Sequence, residues 1–301
     1  MSNTYALVNG HILDGTLDME PVAGKAMVVE GDIIKDILPF EKLDEAYADI
    51  EKVDVQGGYI MPGLINLHVH TIIEGSIPKN EKPTDYKKLV QRMTKYGIVK
   101  EYFLSQERQN VEKQLLSGVT TLRSVGGIKD WDGLNRDRVN RGEIPGPRIL
   151  SANMAVSVPG GHFAGSLATE SETVEQAVKD VIAIAETKPD LIKLMITGGV
   201  MDATEEGEPG ALRMQLDMVK ACCEEAHKRG FMVAAHVESQ EGVRVALKGG
   251  VDTIKHGALL DDEIIELYKK NNSACICTIS PVIPYAIVPR EISKSGELGK
   301  K

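Results

Sequence analysis

Two histidines, His68 and His70, alternate at the end of the apolar run LINLHVH. On a β-strand, residues i and i+2 point to one face, so both imidazoles enter the same space. His236 closes a second apolar run, FMVAAH, and His256 closes a third, VDTIKH. Lys193 lies inside a fourth, LIKLMI, where an unpaired ammonium is costly to bury. A lone HxH is more often a polar strand-to-loop junction than a ligand pair. Four of the seven histidines converging from three strand ends make a metal centre the better reading. Imidazole nitrogen suits zinc, and ligands at the C-terminal ends of inward-facing barrel strands sit where active sites are built. His162, in the glycine-rich PGGHFAG, reads either as a substrate contact or as a solvent-exposed turn residue. His11 and His227 read as ordinary, the latter on a solvated helix face.

These residues need a scaffold, and the chain supplies a strand–helix alternation from residue 60 onward. Apolar strand candidates fall at 60–67, 119–123, 148–151, 191–196, 231–235, 251–254 and 274–279. Helical spacing of apolar residues runs over Val174–Glu186, Gln215–Gly230 and Glu263–Lys270, with Asp261-Asp262 as a start signal. Residues 85–118 add helix before the second strand. Repeated βα units predict a parallel α/β fold. The expected architecture is a (β/α)8 TIM-like barrel over residues 59–301, preceded by a small N-terminal β-sandwich part over 1–58. In that first part AMVVE and IIKDIL flank Gly31-Asp32 as a hairpin. Only seven barrel strands are expected. The residues after Ile279 hold Pro281, Pro284 and Pro289 and then a polar tail, so an eighth strand has no place and the barrel is expected to be incomplete.

Composition narrows the function. With 35 Lys+Arg against 44 Asp+Glu, the formal net charge is −9. No basic field exists to displace counterions, so neither a nucleic acid nor an anionic membrane is an expected partner. No apolar run approaches the ~20 residues of a membrane span, and the N-terminus has no signal-peptide character. A cytoplasmic location is expected. The four cysteines, Cys222, Cys223, Cys275 and Cys277, read as buried reduced thiols with no role.

Taken together, PGLINLHVHT, LIKLMITGGV, VAAHVES and DTIKHG resemble the successive barrel motifs of the metal-dependent amidohydrolase superfamily. The similarity is to its prolidase-like and imidazolonepropionase-related members, from about Val8 to Arg290. The resemblance implies that His68 and His70 bind one divalent metal and that His236 and His256 bind a second. An N-carboxylated Lys193 would bridge the two ions, with zinc the expected metal. His162 resembles the family's loop histidine near the substrate. The implied reaction is hydrolysis of a peptide-like C–N amide bond by a metal-bound hydroxide, on a small-molecule or dipeptide-like substrate. The family's acid/base aspartate, at the end of the eighth strand, has no counterpart here, so no catalytic acid/base residue is identified. The alternative expectation is therefore a catalytically impaired truncated or split-protein fragment that binds one metal or none, in a homo-oligomer or beside a completing chain. Glu238 stands where many relatives have a second histidine, Lys255 where many have glutamate, and Ser124 where aspartate is common. None of these three is a metal ligand in the family.

Overall fold

The computed structural model describes residues 4–73, 86–94, 97–200 and 209–278. The chain divides into two compact units, Met1–Leu64 and Ile65–Lys301. In the first, alternating small and β-branched residues build a four-stranded sheet. Its strands are β1 (Thr4–Val8), β3 (Lys25–Glu30), β4 (Ile33–Pro39) and β5 (Glu51–Asp54), in the order β4-β3-β1-β5. The expected hairpin is present: β3 and β4 pair antiparallel around Gly31, whose φ of +66° is a conformation that glycine adopts without strain. β2 (His11–Ile12) and β6 (Tyr59–Ile60) form a separate parallel pair. Ala6, Val8, Ala26, Val28 and Leu38 close over Leu43 of the short helix α1 (Leu43–Ala46) as a small core.

The second unit is the βα alternation. β7 (Leu64–Val69), β8 (Val119–Ser124) and β9 (Arg148–Ser151) form one sheet, and β10 (Ile192–Met195), β11 (Val233–Val237), β12 (Thr253–His256) and β13 (Ala274–Ile276) form another. Every pairing in the second sheet is parallel, as is β8 with β9. A parallel bridge between Val156 and Leu194 joins the end of one sheet to the start of the other. The strands thus follow one another in chain order, an α/β fold with parallel sheets. No closed barrel is formed among the described residues. Every residue of β10 and β11 is buried, the pattern of parallel strands covered on both faces.

The helices between them are α2 (Tyr86–Thr94), α3 (Gly97–Leu116), α4 (Trp131–Asn140), α5 (Val174–Glu186), α6 (Leu216–Lys228), α7 (Gln240–Gly249) and α8 (Asp262–Asn271). Side-chain caps start three of them: Thr173 accepts from Gln176 N, Ser239 from Gly242 N, and Asp261 from Ile264 N. Val181, Ile184, Val219, Cys222, Val243 and Leu247 turn their apolar stripes onto β10–β12. The strand expected over 274–279 is described only to Thr278, and the proline-containing segment beyond it lies outside the described residues.

One minor expectation is corrected. Cys222 and Cys223 are buried, but Cys275 and Cys277 are exposed, because β13 is paired on its β12 side alone among the described residues. His227 is exposed on α6 as expected, and its Nε2 lies 2.8 Å from Asp252 Oδ2, which also accepts from Val233 N and so ties the end of α6 to the start of β11.

Candidate metal centre

Five of the sequence-identified side chains come together as a continuous run of imidazoles. His68 and His70, from the end of β7, have ring centroids 5.3 Å apart. His68 lies 4.8 Å from His256, and His256 lies 4.7 Å from His236. His162 stacks on His236 at 4.2 Å. The loop histidine is therefore buried against the cluster rather than exposed in a turn.

Local backbone geometry explains how these rings meet. In the β11–β12 register His236 faces Lys255, while His256 is opposite Val237. Strict alternation would set His256 apart from His236. A φ of +67° at His256 ends the strand in the left-handed region and accompanies the ring's approach to its neighbour. His256 Nδ1 is held 2.6 Å from Thr278 Oγ1, and His70 Nδ1 is 2.7 Å from the Gly126 carbonyl. Such bonds fix which ring nitrogen remains available to a ligand. A Cβ at Gly199 would fall 2.4 Å from His162 Nδ1, so glycine there is what lets the His162 ring lie against the backbone.

The electrostatics favour lone pairs. Burial lowers His70 to about 4 and His256 to about 3, and pushes His68 and His236 well below the usual imidazole range. These four imidazoles are thus favoured in the neutral form, the one that binds metal. Lys193 is fully buried in β10, and its Nζ has no hydrogen-bond partner among the described residues. Burial, then the charges of Lys255 and Arg123, hold it well below an ordinary lysine. His68 Nδ1 is likewise buried without a partner. Unsatisfied buried polar atoms are rare and call for an explanation. Neutral imidazoles around orphaned nitrogen atoms fit a divalent ion.

Three features go beyond the sequence reading, which named Glu238 and Lys255 only as departures from relatives. Glu238 follows His236 by two residues, and its Oε1 is 3.9 Å from His236 Nε2. Ligand atoms of His236, Glu238 and His256 lie within 4.8 Å of one another. The i, i+2 rule that paired His68 with His70 would have found it. Lys255 is fully buried within β12, donating to Thr253 Oγ1 at 3.2 Å. Finally, Glu107 of α3 and Asp132 of α4 are both buried beside the end of β7. Thr71 and Asn135 donate to Glu107, and Ser124 donates to Asp132. A surface cleft of about 490 Å³ lined by Arg136, Arg148, Lys188 and Asp190 contains none of the clustered side chains. Arg136 there is already paired with Asp190.

A model of the amidohydrolase family matches residues 59–278, which include all five histidines of the cluster and Lys193. Among curated proteins, an uncharacterised Mycobacterium tuberculosis protein is 26% identical over 268 residues, covering 89% of this chain and 56% of its own length. The ochratoxinase of Aspergillus niger is 23% identical over 291 residues, covering 88% of this chain and 57% of its own. The chain thus spans about half the length of the curated relatives it matches. Among solved structures, a Bifidobacterium longum protein provisionally described as a prolidase superposes with a TM-score of 0.74 at 30% identity, over 99% of this chain and 66% of that one.

Proposed function

The chain belongs to the amidohydrolase family, and from that premise we propose that it is a metal-dependent hydrolase of peptide-like C–N amide bonds in small, dipeptide-like substrates. One observation carries the reading: four neutral strand-end imidazoles converge around a buried lysine whose amine has no partner. His68 and His70 would hold one divalent ion, zinc in this reading, and His236 and His256 a second. Lys193 is the residue that would be N-carboxylated to bridge them, since a carbamate offers two oxygens where an amine offers one lone pair. Its depressed basicity leaves the amine uncharged, as that modification requires. Divalent ions in such a site polarise a carbonyl and acidify water towards ~7.

The chain's own residues supply the rest. The Gly126 carbonyl orients His70, and Thr278 orients His256. His162, stacked on His236, presents its ring to whatever enters the cluster and is the proposed substrate contact. A dipeptide-like substrate is favoured by the description of the B. longum protein as a prolidase. The test is a steady-state panel of dipeptides and N-acyl amino acids with zinc-loaded protein. Turnover above that of a His68→Ala, His70→Ala double variant is expected. Rates equal to that variant across the panel overturn the assignment.

A further inference from the structure

We propose that Glu238 is a metal ligand, and that His236, Glu238 and His256 form a site able to hold one divalent ion without modification of Lys193. The proposal rests on the metal-centre reading above and adds to it a ligand that the family pattern does not use.

The geometry supports it in three ways. Glu238 directly follows β11, two residues after His236, the spacing that puts side chains of an extended chain on one face, and its Oε1 is 3.9 Å from His236 Nε2. The Glu238 backbone is anchored there, its N–H donating to Thr197 Oγ1 at 3.1 Å. His256 is brought to the same point by its left-handed turn, which makes a trio whose ligand atoms lie within 4.8 Å. Atoms bound to one tetrahedral zinc at about 2.0–2.1 Å sit roughly 3.4 Å apart, so side-chain rotation of about 1 Å closes the trio.

The donor set is also chemically complete. Two imidazoles and one carboxylate are a recognised catalytic zinc shell, with a fourth position left open. The carboxylate adds an anionic donor to the two imidazole nitrogens of the trio. Its side chain is 20% exposed, whereas that of His236 is almost fully buried. An ion held this way does not depend on carbon dioxide, whereas one bridged by a carbamate does.

The experiment titrates the metal-free full chain with Zn2+ against a chromophoric chelator, and with Co2+ by its visible absorption. Lys193→Met, which has no amine to carboxylate, is expected to keep one tight equivalent. Glu238→Gln is expected to weaken that equivalent by on the order of 100-fold, at or beyond the loss from an outer-shell partner. Glu238→His is expected to restore binding with an altered Co2+ spectrum, because it replaces one ligand by another and retains no negative charge. That variant separates ligation from an electrostatic or purely structural role. Glu238→Gln titrating as the wild type overturns the proposal, as does loss of every equivalent in Lys193→Met. Absence of hydrolysis together with a Glu238-dependent ion would sink the functional reading and leave this ligand assignment standing. Turnover with ion binding indifferent to Glu238 would do the reverse.

Discussion

On either side of the chain that leaves β7 lie two buried polar clusters built on opposite rules. Glu107, Asp132, Thr71, Ser124 and Asn135 bond chiefly to one another, although Asn135 Nδ2 also donates to the Leu104 carbonyl and Asn135 Oδ1 has no partner among the described residues. Burial and the neighbouring Asp132 keep the Glu107 carboxyl well above the ordinary range, so that it favours a proton it can share with Asp132. The imidazole cluster does the reverse. Burial holds His68, His70, His236 and His256 below the usual imidazole range, and His68 Nδ1 and Lys193 Nζ have no partner among the described residues. Burial alone therefore does not mark a functional site. Satisfied polar groups rigidify a scaffold, whereas unsatisfied ones facing each other indicate a missing ligand. The two clusters touch the same short segment: Thr71, bonded to Glu107 through its hydroxyl and to Asn110 through its carbonyl, directly follows His70.

The sharpest way to break this contrast is to remove the ion. Stripping divalent metal with a chelator is expected to lower turnover by roughly 10²–10⁴-fold, the several kcal/mol that such ions supply, with recovery on adding zinc. An equal loss in metal-loaded Glu107→Gln would erase the distinction between site and scaffold. Next in size is Glu107→Ala, which strands Asp132 as a buried carboxylate and leaves Thr71 and Asn135 without their acceptor. A loss of about 3–5 kcal/mol in chemical denaturation is expected. Glu107→Gln keeps the shape and offers Asp132 an N–H, so about 1 kcal/mol is expected, with metal content unchanged.

The same pair gives a pH signature. Glu107 is raised above its ordinary 4.5, so the folded state holds a proton that the unfolded state has released. Its contribution to stability is complete below pH 4.5 and is lost as pH rises through the folded value. The slope reaches about 1.4 kcal/mol per pH unit for one proton. Glu107→Gln should flatten that part of the profile of melting temperature against pH. A wild-type profile without the slope would show that the two carboxyls share no proton.

Much of the scaffold was legible because period and capping chemistry are local. Val174–Glu186 forms a helix over the predicted residues, and the hairpin about Gly31 follows from two β-branched runs around a turn pair. The convergence of His68, His236 and His256 was legible too, because strand ends in a βα succession share one side. Lys255 and the Glu107–Asp132 pair were not. A lysine in TIKH carries no sign of full burial, and Glu107 and Asp132 lie on different helices, so only the folded chain brings them together. Glu238 was read by its difference from relatives, which obscured its simple i+2 relation to His236.

Lys255 tests where the boundary between the two kinds of cluster runs, with the smallest expected effect. It is fully buried, bonded to Thr253 Oγ1, and lowered to about 7 by burial and then by the charge of Arg123. A buried cation without a carboxylate partner is a cost that an apolar side chain of similar length removes. If Lys255 is only a tolerated interior residue, Lys255→Met should stabilise the chain by about 1 kcal/mol, a rise of roughly 2–4 °C in melting temperature, and leave zinc stoichiometry unchanged. If the variant is more stable but binds less zinc, Lys255 belongs to the unsatisfied cluster. The positive charges around Lys193 would then be part of how the site holds its anionic ligands, rather than a burden the fold carries beside it.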